Sequence, residues 1–206
     1  MKVLMLNGSP RPNGNTNVAL IQMKETLEQN GIEVEYIHVG NKDIRGCIAC
    51  NFCKNNGRCV FDDIVNELAR KFEEADGLVV GTPVYYAQPN ATLTALMTRL
   101  FYSTPFDKSM KVGAAVCCAR RSGTTAAFEV LNKFFTISNM PIVSGQYWNN
   151  VYGMLPQEAL QDEEGLQVMR GLGLNMAFLI KSIDLEKRKF GFPAMNEERI
   201  TTNFIR

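Results

Sequence analysis

Apolar positions along this chain fall into two rhythms: short unbroken runs, and longer stripes recurring every three or four residues. Val3-Leu4-Met5-Leu6, Gly77-Leu78-Val79-Val80-Gly81 and Val112 to Cys118 carry no polar alternation. That is the pattern of strands covered on both faces of a parallel sheet. Ile32 to Val39 differs, because Glu33 and Glu35 interleave with Ile32, Val34 and Tyr36. It predicts a half-solvated edge strand, with His38, the one histidine, near its end as a satisfied or exposed side chain. Helical stripes fill the intervals. One spans about Thr16 to Asn30 and stops at Gly31; another carries Ile64, Val65, Leu68, Ala69 and Phe72 behind a capping Asp62 or Asp63. Leu93, Leu96, Met97, Leu100 and Phe101 mark a third, and Phe128, Leu131 and Phe135 a fourth. Pro141 to Gln146 or Tyr147 reads as a fifth strand. Glu158 to about Lys181 reads as a last helix, in which Gly171 and Gly173 mark a break or a close helix contact.

Strands alternating with helices predict an α/β fold, a doubly wound parallel sheet with right-handed crossovers. The two runs ending before Gly8 and Thr82 are buried all round and so belong at its centre, side by side. Their following loops, Asn7 to Asn15 and Pro83 to Tyr86, then meet at one edge of the sheet.

The first of these loops has the makings of an anion site. A strand stops at Asn7-Gly8-Ser9-Pro10, and a helix restarts near Asn15 or Thr16. Unpaired backbone N–H groups, small hydroxyls and the positive end of the helix dipole converge in such a turn. Arg11 adds a forked cation that can grip a phosphate twice. There is no GxxxxGK[ST] and no GxGxxG, which sets aside the ATP-type loop and the usual dinucleotide fingerprint. The loop suits a terminal monophosphate; an ordinary strand–turn–helix connection punctuated by Pro and Gly has the same spacing.

Composition narrows the classes. The 206 residues allow one domain with a substantial core, and 46% hydrophobic content is ordinary for a globular chain. Twenty-two basic against 21 acidic residues leave a formal charge of +1, with no basic run for nucleic acid and no polybasic patch for a membrane surface. The N-terminal apolar run is too short for a signal peptide core and no stretch is long enough to span a membrane, so a cytoplasmic protein is expected. In a reducing compartment the six cysteines are more readily metal ligands or reactive thiols than disulfides. Cys117 and Cys118, adjacent on a buried strand, read as core. Cys47, Cys50, Cys53 and Cys59 form CxxCxxCx5C. Its first three cysteines have the spacing of bacterial ferredoxins, which points to a [4Fe–4S] cluster. Zinc fits the spacing less well, and free or redox-active thiols are the remaining alternative.

Two motifs carry a resemblance to a known family. LNGSPRPNGNT at Leu6–Thr16 resembles the FMN-phosphate loop of the flavodoxin-like NAD(P)H-dependent FMN reductases and iron–sulfur flavoproteins. GTPVYY at Gly81–Tyr86 is similar to the loop that contacts the flavin ring, and the likeness covers about the first 150 residues. It implies strand order 2-1-3-4-5 with the cofactor at the switch point between strands 1 and 3. It also implies that Ser9, Arg11, Asn15, Thr16 and Asn17 hold the FMN phosphate and that Pro83, Val84, Tyr85 and Tyr86 flank the ring. One of the two tyrosines is expected to turn away as a core or interface residue. The loop through Ala119, Arg120 and Gly123 would contact ring or substrate, with Arg120 and Arg121 as anchors for NAD(P)H. Cys47, Cys50, Cys53 and Cys59 in the 43–59 loop would carry the cluster, facing the FMN of a neighbouring subunit in a homodimer or homotetramer. The arm at 185–206, apolar at Phe190, Phe192, Phe204 and Ile205 but with no clear helix or strand, would pack on a partner protomer. The electron donor or acceptor would be a small molecule or a protein; the alternatives are a flavodoxin-like carrier without turnover and a cluster-free reductase.

Overall fold

The structure, a computed structural model, describes residues 1–192, 198, 200–202 and 204. Strand β1 (Lys2–Asn7) lies at the heart of a parallel sheet in the order β2-β1-β3-β5-β6, with β2 at Glu33–His38, β3 at Gly77–Tyr85, β5 at Val112–Ala119 and β6 at Asn150–Tyr152. A two-residue strand β4 (Gln88–Pro89) pairs antiparallel with the end of β3. Helices α1 (Asn15–Gln29) and α6 (Glu163–Phe190) cover one face; α3 (Ile64–Glu74), α4 (Ala91–Ser103) and α5 (Thr124–Ile137) cover the other, and a short α2 (Phe52–Asn56) lies in the cysteine-rich segment before α3.

Period-two alternation explains the unbroken apolar runs. Val3 and Met5 of β1 pack with α1 and α6, whereas Leu4 and Leu6 pack with α3 and α4. In β3, Val79 takes the first face and Leu78 and Val80 the second. The parallel order matches the one expected, with β5 and β6 as fourth and fifth strands. β2 is an edge strand, as expected, and Glu35 on it is gripped by Lys2 and Lys71.

The fifth strand lies elsewhere than the Pro141–Tyr147 reading. There the chain touches β5 at one bridge, Gly113 to Ile142, and leaves. The apolar run ends at Val143, and Ser144, Gly145 and Gln146 offer the sheet nothing to bury. The Asn149 amide donates to the Ala115 carbonyl at 3.0 Å, filling a ladder position, and pairing resumes at Asn150 beside Cys117. The last helix also differs. A 3-10 turn occupies Glu158–Gln161; Asp162 then caps α6, accepting from the Gly165 N–H, and α6 continues to Phe190. Residues 185–190, expected without regular structure, are therefore helical. Leu185 is exposed there, so the stripe fades, yet Lys187, Arg188 and Lys189 suit the negative end of the dipole. Phe192 and Phe204 are exposed, while Ile205 falls outside the described residues.

Of the two α6 glycines, Gly173 is the close contact: a Cβ there would stand 2.9 Å from Thr26 Cβ and 3.1 Å from the Met23 carbonyl on α1. Gly171 has only Gln146 Oε1 nearby, at 3.8 Å. Gly173→Ala is expected to destabilise by about 1–3 kcal/mol through overpacking, and Gly171→Ala to stabilise by about 1 kcal/mol through helix propensity; chemical denaturation checks both signs. Hydrogen bonds from Lys2 and Lys71 hold the Glu35 carboxyl below the usual carboxylate range. A depressed carboxyl contributes stability above its unfolded value, about 4.3, and loses it as pH falls through the folded value. Glu35→Gln should therefore lower Tm at pH 7 and match the parent at about pH 2, measured by thermal melts across pH.

Candidate functional site

β1 ends at Asn7 beside Gly81, whereas β3 runs on through Pro83, Val84 and Tyr85, expected as a loop, because these residues still pair with β5 and β4. Buried polar groups stitch this extension to the loop after β1. The Gly8 N–H donates to the Gly81 carbonyl at 2.8 Å. Asn90, between β4 and α4, donates its amide to the Gly8 carbonyl at 2.6 Å, and its own N–H is accepted by Thr82 Oγ1 at 2.8 Å. On the other side Asn7 Oδ1 accepts from the Ser9 N–H at 2.9 Å. Asn7 Nδ2 donates to the Tyr36 hydroxyl (2.8 Å), which donates to Asn17 Oδ1 (2.6 Å). Burial raises the Tyr36 pKa, so this hydroxyl keeps its proton. His38 Nε2 stands 2.6 Å from the Ser9 carbonyl; a carbonyl only accepts, so that nitrogen carries the proton. Gly40 lies underneath: a Cβ there would be 2.1 Å from the Ser9 carbonyl oxygen.

The result is a rigid loop at the start of α1. Gly14 is the N-cap and no side chain caps the helix, so the N–H groups of Asn15, Thr16 and Asn17 have no intrahelical acceptor. Ser9 and Thr16 are buried, and Arg11 is exposed. A cleft of about 180 Å³ opens above them. Ser9, Arg11, Asn15 and Thr16 form one wall, Pro83, Val84 and Tyr85 a second, and Ala119 with Arg120 a third. Gly153, Met154 and Pro156, from the loop after β6, complete the rim. The structure thus gathers nine of the twelve expected residues around one space.

The rest stand close behind. Asn17 spends its amide oxygen on Tyr36. Tyr86 and Ala87 form the left-handed tip of the β3–β4 hairpin (φ +49° and +60°), and Tyr86 is fully exposed. Gly123, at φ +89°, backs this hairpin, where a Cβ would approach Ala87 Cα and Val84 Cγ1 to 3.1 Å. Neither Tyr85 nor Tyr86 is a core residue, both being exposed. Asn15 lines the cleft, but its amide is occupied: it donates to the Leu155 carbonyl (2.9 Å) and accepts from the Ala159 N–H (3.1 Å), tying the rim to α1. Cys117 is core, whereas Cys118 also lines the cleft beside Thr16. Burial pushes both thiols up to about 12, so neither is a nucleophile near neutral pH. Asn90, Tyr36 and Gly40 were not anticipated. Only Gly40, directly after an edge strand, left any signal in the chain.

The cysteines form a second, separate cavity. Cys47 and Cys50 are exposed, Cys53 is half-buried and Cys59 is buried. All four line one pocket with Ile48, Val60, Phe61 and the α4 residues Arg99, Tyr102 and Ser103. Ala49 (φ +53°) and Asn51 (φ +57°) reverse the chain between successive cysteines, a strained turn of the kind found at ligand sites. The Arg99 Nε–H donates to Cys59 Sγ at 3.3 Å, and the Ala49 N–H to Cys47 Sγ at 3.4 Å. Ser103 Oγ is buried without a partner. Four thiols, backbone and side-chain N–H donors to sulfur and an orphan hydroxyl match the donor chemistry an iron–sulfur cluster uses. Among the described residues no three His, Cys, Asp or Glu side chains converge on a single ion. The space between the thiols is about 20 Å³, so the exposed 47–51 segment has to draw outward around any larger group. Arg99 lies roughly 12 Å along α4 from its start, and the two cavities share no lining residue.

Comparison with known proteins agrees with this geometry. Residues 1–153 match the family model for NADPH-dependent FMN reductase. An iron–sulfur flavoprotein of Methanocaldococcus jannaschii is 36% identical over 194 residues, covering 89% of this chain and 99% of that one. One of Methanosarcina thermophila is 27% identical over 193 residues, covering 92% and 100%. Among solved structures, RosB with bound 8-demethyl-8-formylriboflavin-5'-phosphate superposes with TM-score 0.72 at 16% identity, over 99% of this chain and 92% of that one. An archaeal flavodoxin gives TM-score 0.60 at 17% identity, over 88% and 99%. Likeness at such identities speaks for the fold. No helix among the described residues is long and apolar enough to cross a membrane. On its matched residues and its full-length relatives, the chain belongs to the NADPH-dependent FMN reductase family, in its iron–sulfur flavoprotein group.

Proposed function

We propose that this protein is an FMN-dependent oxidoreductase that also carries a [4Fe–4S] cluster on Cys47, Cys50, Cys53 and Cys59. The observation that carries the reading is the single cleft between the loop after β1 and the end of β3, at the switch point where such sheets bind ligands. Ser9 and Thr16 hydroxyls, the Arg11 fork and the first-turn N–H groups of α1 bind the FMN phosphate. Asn17 supports it through its backbone, and Asn15 holds the rim closed. Pro83, Val84 and Tyr85 flank the ring, with Tyr86 at the mouth and Gly123 behind the hairpin. Backbone N–H groups of this segment favour negative charge on the ring. Arg120 on the wall and Arg121 beside it attract the phosphates of NAD(P)H, and Ala119 allows close approach. Bound FMN supplies the step between two-electron and one-electron transfer, and the cluster supplies one-electron exchange.

Electrons leave to a quinone, dioxygen, peroxide or carrier protein. Because the cysteine cavity and the cleft are separate on one chain, a homodimer or homotetramer that sets one protomer's cysteines against a neighbour's cleft is part of this reading.

Titration of apoprotein with FMN is expected to give saturable binding that Ser9→Ala and Arg11→Ala each weaken about tenfold or more, the loss of a hydrogen bond to a charged group. Failure to bind FMN overturns the reading. With FMN bound, NAD(P)H oxidation coupled to a quinone is expected; its absence leaves an electron carrier without turnover. Anaerobic reconstitution should give about four irons per chain, lost in Cys59→Ser. Zinc, or no metal, in the parent protein removes the cluster from the proposal.

A further inference from the structure

Arg99 interrupts the apolar face of α4. Its neighbours Leu96, Met97 and Leu100 are fully buried core residues, and Arg99 is buried with them at 1% exposure. Burying a guanidinium costs several kcal/mol unless its charge and donors are satisfied. Here they are almost fully used. Nη1 and Nη2 bind the two oxygens of Asp63 at 2.6 and 2.8 Å, and Nη1 also donates to the Arg45 carbonyl at 3.3 Å. The guanidinium lies 4.9 Å from the centre of the Phe61 ring. The remaining direction, Nε–H, points at Cys59 Sγ at 3.3 Å. Asp63 is itself fixed as the N-cap of α3, accepting from the Val65 N–H. Arg99 lines the cysteine cavity and Asp63 does not, so the cation stands between the carboxylate and the thiols. Ser103, one turn further along α4 and itself 5% exposed, brings to the same cavity a buried hydroxyl with no partner.

We propose that Arg99 is the positioning residue of the cysteine site: anchored by Asp63, its guanidinium fixes Cys59 through an N–H···S hydrogen bond and raises the reduction potential of a cluster held there, with the Ser103 hydroxyl as a second donor. This rests on the cluster reading above. Reduction adds negative charge to a cluster, so a nearby cation and donors aimed at sulfur stabilise the reduced form. Cys59 is the buried member of the four cysteines, so water does little to screen the effect at that position. Asp63 moderates the cation. Removing the arginine and removing its carboxylate therefore shift the potential in opposite directions. An ion pair that merely caps α3 does not have this property.

The test loads the parent protein, Arg99→Gln, Asp63→Asn and Ser103→Ala with iron and sulfide anaerobically and titrates each cluster potentiometrically with EPR detection. At a fixed solution potential the reduced-to-oxidised ratio should fall about tenfold in Arg99→Gln, which is about 59 mV for a one-electron couple. It should rise in Asp63→Asn, whose side-chain oxygen still caps α3, and fall by a smaller factor in Ser103→Ala. Should Arg99→Gln fail to fold or load, the other two decide: opposite shifts uphold the proposal, and coincident potentials overturn it. Loaded variants that all match the parent also overturn it while leaving the cluster reading intact. A parent protein that takes up no iron sinks both, and FMN binding is then read separately.

Discussion

The Gly8 N–H to Gly81 carbonyl bond, reinforced by the Asn90 amide on the Gly8 carbonyl, is the contact on which the upper edge of the sheet depends. It joins the loop after β1 to β3, two crossovers further along the chain, and makes them one surface. Polar groups buried this deeply have to be paired or they cost about 1–3 kcal/mol each. The network through Asn7, Tyr36 and Asn17 extends the same logic to β2 and α1. The cleft is therefore a product of the core and not of loop packing: Leu4 and Leu6 set the position of β1, β1 sets Asn7, and Asn7 sets Ser9.

Much of this was legible in the amino-acid order because burial on both faces leaves a plain mark. Val3–Leu6 and Leu78–Val80 could only be central strands, and central parallel neighbours bring their following loops together. The edge strand was equally plain from Glu33 and Glu35. Where the pattern failed, apolar content was shared out unevenly. Pro141–Val143 starts a strand that Ser144 cannot continue, and Asn149 replaces its missing hydrogen bonds from a distance in sequence that no periodicity reveals. The end of α6 shows the converse, a helix that continues on propensity and dipole after its apolar face has run out.

The site residues divide the same way. That Ser9, Arg11, Thr16 and Pro83–Tyr85 come to one cleft was legible because they follow or end the two central strands, whose position the apolar runs fix. Asn90 and Tyr36 were not, because their task is to bond other polar groups, and a sequence does not record which partners the fold will supply. Asn15 lines the cleft as expected from its loop, while its amide ties down Leu155 and Ala159, partners that no local pattern announces. Arg99 carried a faint signal, a charge inside an apolar stripe, which burial turns into a strong one.

Gly40 shows how far the cleft's requirements reach. It is not among the residues lining the cleft, yet a single methyl group there would displace the Ser9 carbonyl from below. Tolerance to substitution in this protein should thus follow the stacking of one backbone on another, not distance from the cofactor. Any effort to redirect its specificity has to treat position 40 as part of the foundation, although no map drawn outward from the ligand would include it.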